Sequence, residues 1–330
     1  MIPDSFIQEL KYRLDIAEVI GSYVNLKRAG RNLKGLCPFH SEKTPSFTVY
    51  PDSQSYYCFG CGAGGDVITF MEEIEHLDYP EAVRALAQRA GLSVPEDAAD
   101  SRAAKEKATT LAINRESAYF YHSLLSTPLG QEGLRYLRGR GLSDQTIRRF
   151  GLGFAPEGWN HLIGHLKKKG FSEEEMVTAA VAGRGRNGGV YDLFRGRAIF
   201  PIVDLRANVI GFGGRILGEG GPKYLNSPDS PVFKKSRNLF ALNFAKATKE
   251  KAFLLAEGYM DVISLHQAGF DCAVATLGTA ITPEQARVLS GYTGEVIVTY
   301  DADEAGQKAA RRAVTLLSQV GVKVRVLVVE

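Results

Sequence analysis

Residues 36–66, LCPFHSEKTPSFTVYPDSQSYYCFGCGAGGD, decide the fold of the first part of this 330-residue chain. The stretch contains two matched pairs, Cys37 with His40 and Cys58 with Cys61, each with two residues between its members. This spacing closes each pair in a tight knuckle, and the two knuckles together offer a tetrahedral Cys3His set for zinc. Ordinary buried cysteines would not place a histidine and three of the chain's four cysteines in this arrangement. Because all four ligands come from the protein, the sequence predicts one closed, structural zinc site.

The residues around these knuckles predict a compact zinc-ribbon domain. Residues 4–24 space their apolar positions as a helix does, with the helix ending at Gly21 and a short strand to follow. Residues 45–58 place β-forming side chains around a Pro-Asp-Ser turn, which is typical of a hairpin. Two further helices are predicted over residues 67–77 and 80–91, the second with a proline near its start and a glycine at its end. We expect this domain to occupy residues 1–98.

The composition is that of an ordinary globular protein. The net charge of +3 is too small to indicate a nucleic-acid partner unless the basic residues cluster. The sequence has no run of 18 apolar residues, and its opening lacks the basic start of a signal peptide. The thiolate ligands, with Cys272 left over, fit a reducing compartment better than a disulfide framework. We therefore expect a soluble, cytoplasmic protein, and we expect it to be a monomer.

The remaining sequence predicts two more domains after a connector. Apolar content falls and charge rises near residues 99–112, which predicts a surface linker or an exposed helical connector there. Residues 113–242 begin with helical patterns and continue into β-forming sequence punctuated by glycines. Residues 243–330 alternate continuous apolar strands with amphipathic helices, which is typical of a parallel sheet covered on both faces. The predicted fold class is therefore multidomain α/β (α+β): a zinc ribbon, a mixed α/β subdomain and a parallel-sheet subdomain.

Acidic residues follow two predicted strands of the last domain. Glu257 comes directly after one strand with Asp261 one helical turn further on, and Asp301 and Asp303 follow another strand. In parallel sheets ligands bind beyond the carboxyl ends of the strands, so these carboxylates converge if the two strands are neighbours. Such a cluster favours Mg2+ or Mn2+ and suits phosphoryl or nucleotidyl transfer. The alternative for each residue is a solvated loop carboxylate.

The middle domain concentrates basic residues among aromatic ones. Clustered Lys and Arg suit contacts to a nucleic-acid backbone or to NTP phosphates, although a solvated surface is the alternative. Residues 211–215, GFGGR, fit either a phosphate cradle or a hairpin, and the single Trp159 is interpreted as a packing residue. Thr279 and Thr282 could bind phosphate, but Thr282 with Pro283 fits the start of a helix at least equally well. The basic residues are Arg138, Arg140, Arg195, Arg197, Arg215, Lys223, Lys234, Lys235 and Arg237.

These motifs together resemble those of the bacterial replicative DNA primase family (DnaG-type), and the resemblance runs essentially from end to end. Toprim motifs alone would also admit topoisomerases and recombination proteins, but a zinc ribbon followed by KYLNSP and EGYMDV is far more specific. The segments that carry the resemblance are residues 35–66 (zinc-binding domain), YLRGRGLS at 136–143, residues 195–215 and 223–242 (N-terminal polymerase subdomain), and EGYMDVI at 257–263, ATLGTAIT at 275–282 and YDADEAG at 300–306 (Toprim).

The resemblance implies DNA-templated synthesis of short RNA primers from NTPs on single-stranded DNA, with a divalent metal. It implies that Glu257 supports metal and proton chemistry, that Asp301 and Asp303 hold Mg2+, and that Asp261 assists. It also implies a basic groove for template and NTP, with Arg140, Arg195, Arg197, Arg215, Lys223, Lys234 and Lys235 as candidates. In the zinc ribbon it implies template contacts from Arg31, Lys34, Tyr56 and Tyr57.

The family continues beyond the strand that residues 324–330 match, with a further acidic motif, the rest of the catalytic core and a helicase-binding domain. The resemblance therefore implies an incomplete Toprim subdomain, and no docking domain for the replicative helicase in this sequence. Two alternatives remain open from the residues. One is a catalytically inert protein that binds single-stranded DNA, and the other is a Toprim nuclease or topoisomerase-like enzyme.

Overall fold

The structure is a computed structural model that describes residues 2–94, 98–278 and 280–327, with the backbone alone at 98–100. The chain divides into two compact units. The first comprises Met1–Ala103 with Leu289–Gly294 and Gln319–Val322, and the second comprises Ala104–Val288, Glu295–Ser318 and Lys323–Glu330. Across the described residues, no helix is both long and apolar enough to cross a membrane.

The first unit is built on a five-stranded antiparallel sheet with helices around it. Its strands lie in chain order, and each pairs with the next in antiparallel fashion. The elements are α1 (Asp4–Arg13), α2 (Ile16–Gly21), β1 (Lys27–Ala29), β2 (Asn32–Gly35), β3 (Phe47–Tyr50), β4 (Ser55–Cys58), β5 (Gly64–Gly65), α3 (Val67–Glu75) and α4 (Tyr79–Arg89). The predicted hairpin at residues 45–58 is β3 and β4.

The predicted end of the helical stretch at Gly21 is confirmed, but the prediction of one continuous helix up to that residue was wrong. Leu14 adopts an extended backbone (φ −108°, ψ 136°), which ends α1. Asp15 then caps α2, because its carboxylate accepts the N–H of Ala17 at 2.8 Å. Both helices turn apolar residues, such as Leu10 and Ile16, into the same core. The apolar periodicity therefore runs through a break that it cannot reveal.

Helix α5 (Ala98–Leu124) begins the second part of the chain and covers the stretch predicted as a surface linker or an exposed helical connector. After it comes a four-stranded antiparallel sheet in the order β11-β10-β9-β6, with a separate β7–β8 hairpin. The elements are α6 (Gln131–Gly139), α7 (Asp144–Arg149), β6 (Gly153–Ala155), α8 (His161–Lys168), α9 (Glu173–Thr178), β7 (Ala182–Arg184), β8 (Val190–Asp192), β9 (Arg197–Val203), β10 (Val209–Ile216), β11 (Tyr224–Asn226) and α10 (Leu242–Ala245).

The last part of the chain forms the predicted parallel sheet, in the order β13-β12-β14-β15. Helices connect the strands, so the apolar strand residues are covered, as with Leu255 and Val298. The mixed α/β fold class predicted from the sequence is confirmed. The elements are β12 (Phe253–Ala256), α11 (Tyr259–Gln267), β13 (Ala273–Ala275), α12 (Pro283–Ser290), β14 (Glu295–Thr299), α13 (Glu304–Gln319) and β15 (Lys323–Val326).

Candidate functional site

The two knuckles of the first unit bring Cys37, His40, Cys58 and Cys61 together, with one ligand atom of each residue within 4.8 Å of the others. The Sγ atoms of Cys37 and Cys61 are 3.8 Å apart, as are Cys58 Sγ and His40 Nδ1. A tetrahedron with zinc–sulfur bonds of about 2.3 Å has edges of roughly 3.8 Å, so the spacing fits this ion. The backbone N–H of Phe39 points at Cys37 Sγ, and the backbone N–H of Gly60 points at Cys58 Sγ, with a nitrogen–sulfur distance of 3.4 Å in each case.

One face of the zinc-ribbon sheet offers basic and aromatic side chains to solvent. The strand register aligns Lys27, Lys34, Thr48 and Tyr57 across β1 to β4, so that these side chains share one face. Tyr57 is 43% exposed and packs edge-on against Phe59, which is 68% exposed, with 5.1 Å between ring centroids. We call the two lysines with these two rings the ribbon face. Phe59 lies between Cys58 and Cys61 in the second knuckle. An aromatic residue at this position is a signal for an exposed ring that the sequence analysis did not use.

Two of the predicted template contacts in this unit have other partners. Tyr56 is only 2% exposed, stacks on Phe47 and donates its hydroxyl to Glu73. Its neighbour Tyr57 points to the opposite face because side chains alternate along a strand. The prediction that Tyr56 contacts the template is therefore wrong. Arg31 is exposed and pairs with Asp52 at 2.8 Å.

The carboxyl ends of β12 and β14 meet at one edge of the parallel sheet. The two strands are neighbours, with Ala256 opposite Thr299, so Glu257 and Asp301 follow directly beyond a shared edge. Glu257 Oε2 accepts the backbone N–H of Asp301 at 3.3 Å. Asp303 caps α13, since its Oδ1 accepts the N–H of Gly306 at 2.7 Å. We call these three acids with Asp261 the acidic edge.

Asp261 is electrostatically coupled to its neighbours at the acidic edge. Asp261 is exposed as a residue, yet partial desolvation of its carboxylate raises its pKa, and the charge of Asp301 raises it further. A hydrogen bond from the N–H of Gly258 and the charge of Arg140 act in the opposite direction. Within the described residues, the zinc-type quartet is the one group of three or more such ligand atoms within 4.8 Å. The acids of the edge are neighbours, but three of their oxygens do not come within that distance of one another.

Two of the predicted groove arginines have structural partners. Arg197 is 5% exposed, and its Nη1 donates to the carbonyls of Gly214 and Pro222, each at 3.0 Å. Burial lowers its pKa, and the prediction that it contacts DNA or NTP directly is wrong. Arg195 lies over the ring of Trp159 at 4.1 Å. Trp159 itself is 63% exposed, so its interpretation as a packing residue was also wrong.

The other basic candidates differ in their freedom to bind. Arg215 lies between the rings of Tyr136 and Tyr224, at 5.7 and 5.4 Å from their centroids. Lys223 and Arg140 are exposed. Lys234 pairs with Asp229 at 3.5 Å, and the N–H of Lys235 donates to the same carboxylate at 3.1 Å.

A hydrogen-bonded bridge that the sequence analysis missed supports the acidic edge. The hydroxyl of Tyr259, two residues after Glu257, donates to Asn226 Oδ1 at 2.6 Å. Asn226 in turn donates its amide to the carbonyl of Leu277 at 2.8 Å. The bridge joins β11, the start of α11 and the loop after β13. Nothing in the periodicity of any of these segments indicates it, because the three residues are far apart in sequence.

Two glycines and one threonine have structural explanations. The GFGGR segment lies within β10, where an added Cβ at Gly213 or Gly214 would collide with the ring of Tyr259 or Phe194. Thr282 begins α12: its hydroxyl accepts the N–H of Gln285, and the Gln285 side chain accepts the N–H of Thr282. The helix-start interpretation of Thr282 and Pro283 is therefore confirmed, whereas Thr279 lies outside the described residues.

Fold and site together define a zinc-ribbon protein with a Toprim domain. Three families match successive parts of the chain: CHC2 zinc finger at residues 2–102, DNA primase catalytic core N-terminal domain at 120–246, and Toprim-like at 254–330. The DNA primase of Clostridium acetobutylicum is 44% identical over 332 residues, which is 99% of this chain and 55% of the relative.

Solved structures agree with these matches. The zinc-binding and RNA polymerase domains of the Aquifex aeolicus primase align over 98% of this chain and 79% of that one, with 39% identity and a TM-score of 0.63. A DnaG primase catalytic domain bound to ssDNA aligns over 69% of this chain and 75% of that one, with 38% identity and the same TM-score of 0.63. The chain belongs to the DnaG-type DNA primase family. It spans about half the length of the curated relatives it matches, 55% and 48% for two of them. The match to the CHC2 zinc finger identifies the metal of the Cys3His quartet as zinc. The match to the Toprim-like family implies Mg2+ as the metal of that domain.

Proposed function

We propose that this chain takes part in DNA-templated synthesis of short RNA primers from NTPs on single-stranded DNA. The observation that carries the proposal is the pairing of β12 with β14, which puts Glu257 and Asp301 at one edge of the sheet. In the same chain the zinc ribbon presents lysines and aromatic rings on one face. Nucleotidyl transfer needs the first feature, and a single-stranded template suits the second.

At the acidic edge, Glu257 and Asp301 would hold Mg2+ with the help of Asp303. The bound ion neutralises the carboxylates and the NTP phosphates and polarises the α-phosphate. Asp303 Oδ1 accepts the N–H of Gly306 at the N-terminus of α13, and its Oδ2 remains for a ligand. The hydrogen bond from the Asp301 amide holds Glu257 at the edge. These residues orient an NTP so that a 3'-hydroxyl attacks its α-phosphorus and pyrophosphate leaves.

The basic residues would hold the phosphates of template and NTP. Arg140 is exposed, and its positive charge lowers the pKa of Asp261 against the rise that burial causes. Lys223 is exposed, while Lys234 and Lys235 share Asp229, which ties that segment down. Arg215, held between two tyrosines, presents a fixed guanidinium rather than a mobile one.

The ribbon face would engage the single-stranded template. Tyr57 and Phe59 offer exposed rings on which bases stack, and Lys27 and Lys34 lie in register with Tyr57 to meet phosphates. Trp159 with Arg195 offers a similar pair in the second unit. We place this activity in the cytoplasm of a bacterium, at the replication fork.

The test is incorporation of labelled NTPs on a single-stranded DNA template, with and without Mg2+, by the zinc-loaded chain and by Asp301→Asn. Exposed Asp4→Asn makes the same chemical change away from the acidic edge and serves as the control. We expect Mg2+-dependent short RNA from the parent and the control and at least a tenfold loss in Asp301→Asn. Mn2+ affinity, measured by EPR, should fall in the same variant.

Three results would contradict the proposal in different ways. Full activity or unchanged Mn2+ affinity in Asp301→Asn would remove the metal assignment. If the parent and both variants bind DNA but none of them makes RNA, the chain is a DNA-binding module without polymerase activity. Cleaved or relaxed DNA would instead favour a Toprim nuclease or topoisomerase-like activity.

A further inference from the structure

A buried carboxylate, Glu42, lies behind the zinc ligands and contacts both knuckles through its neighbours. Its side chain is 11% exposed. Oε1 accepts the N–H of Cys37 at 2.7 Å and the N–H of Ser46 at 3.1 Å. Oε2 lies 3.3 Å from His40 Nε2 and accepts the hydroxyl of Ser46. Every oxygen of this carboxylate therefore faces two donors.

The contacts fix which nitrogen of His40 faces the metal. Nδ1 lies 3.8 Å from Cys58 Sγ, inside the ligand cluster, while Nε2 points away from it toward Glu42. A metal-binding histidine needs its second nitrogen protonated and held by an acceptor, which sets both tautomer and ring orientation. In the described part of the first unit, Glu42 Oε2 is the carboxylate oxygen that faces Nε2.

We infer that Glu42 is the positioning residue of the zinc site: it holds His40 with Nε2 protonated and Nδ1 on the metal, and it links the two knuckles. The link to the second knuckle runs through Ser46, whose Oγ is 3.2 Å from Cys58 Sγ and whose carbonyl accepts the N–H of Phe59 at 3.0 Å. Zinc binding to the Cys3His set thus depends on a residue that is not a ligand.

Gly60 leaves room for the His40 and Ser46 side chains that contact Glu42. A Cβ built there would lie 2.6 Å from His40 Nε2 and 2.8 Å from Ser46 Oγ. The imidazole and the hydroxyl that contact Glu42 occupy the space that a side chain at position 60 would need. The second knuckle can close over this hydrogen-bonded group only with glycine there.

The first test uses the unmodified, zinc-loaded chain with 15N-labelled histidine. Long-range 1H–15N correlation distinguishes a metal-bound Nδ1 from a metal-bound Nε2. The signals of His40 are identified as those that disappear in His40→Cys. For this residue we expect zinc on Nδ1 and a proton on Nε2. Zinc on Nε2 would overturn the inference, and this result does not depend on whether any variant at position 42 folds.

The second test compares zinc affinity by competition with a chromophoric chelator in Glu42→Gln, Glu42→Ala and Glu18→Gln. The glutamine side chain in Glu42→Gln keeps the volume but turns one acceptor oxygen into a donor that faces donors. Outer carboxylates of this kind typically change metal affinity by about 10–100-fold, and we expect a loss of this order in both variants at position 42. Glu18 is exposed on α2, and its variant should match the parent. Affinities within twofold of the parent for Glu42→Gln and Glu42→Ala would overturn the inference.

Discussion

At the scale of single residues, Gly213 makes room for the ring of Tyr259. An added Cβ would lie 2.6 Å from the Cε2 and Cζ atoms of that ring. The ring cannot move aside, because it stacks on Phe200 at 5.3 Å and its hydroxyl is bonded to Asn226. Gly213→Ala should therefore lower the free energy of unfolding of the second unit by about 1–3 kcal/mol, as overpacking does. Urea unfolding followed by tyrosine fluorescence measures it.

Gly164→Ala in α8 is the matched control for this substitution. Nothing lies within 4 Å of its added methyl, and alanine is the better helix residue by about 0.5–1 kcal/mol. Its stability should be unchanged or higher. Equal stability of the two variants would mean that Tyr259 is not held in place as the structure has it.

At the scale of an element, Asp66 governs the start of α3. Its Oδ1 accepts the N–H groups of Ile68 and Thr69 at 2.9 and 3.0 Å, and its Oδ2 pairs with Lys11 at 2.6 Å. Burial alone would raise the pKa of Asp66, but the Lys11 ammonium and the two N–H donors outweigh it and lower the pKa.

Two variants separate the cap from the ion pair. Asp66→Ala removes both and should cost about 0.5–2 kcal/mol, whereas Asp66→Asn keeps a good cap and should cost less. Because the folded-state pKa is lowered, the charge of Asp66 stabilises the fold above about pH 4, the unfolded value, and this contribution is lost as pH falls through the folded pKa. Thermal unfolding across pH 2–7 should show a shallower acid slope for Asp66→Asn than for the parent. Identical slopes would assign the acid sensitivity to other groups.

Local chemistry explains which elements the sequence predicted well. The starts of α3, α4 and α12 carry Asp66, Pro80 and Thr282 with Pro283, and each signal lies within one helical turn of its effect. The break at Leu14 has a local signal of the same kind in Asp15, which caps α2, but the sequence analysis did not use it. Burial of Tyr56 and Arg197, and the bridge through Asn226, depend on chain segments that meet only in the folded protein. The sequence therefore predicted the zinc ligands and the acidic edge from chemistry at short range, but it could not sort exposed from buried basic and aromatic residues.

At the scale of the whole molecule, the proposed DNA binding by the ribbon face has two separable physical parts. Lysines that meet phosphates release counter-ions, whereas rings that stack on bases do not. The net charge of the chain is only +3, so local clusters such as Lys27 with Lys34 must supply the electrostatic part. The two parts should respond differently to salt.

Lys34→Ala and Tyr57→Ala test this separation by fluorescence anisotropy of a labelled single-stranded oligonucleotide over a series of KCl concentrations. For Lys34→Ala we expect the slope of log K against log salt to become shallower by about 0.7, the value for one phosphate contact on a single strand. For Tyr57→Ala we expect a loss of about 1–3 kcal/mol at every salt concentration with the slope unchanged. Lys168→Ala, an exposed lysine on α8, controls for the loss of one positive charge and should change neither quantity. If Lys168→Ala shifts the slope as far as Lys34→Ala does, binding is non-specific attraction to the whole protein, and the ribbon face is not its site.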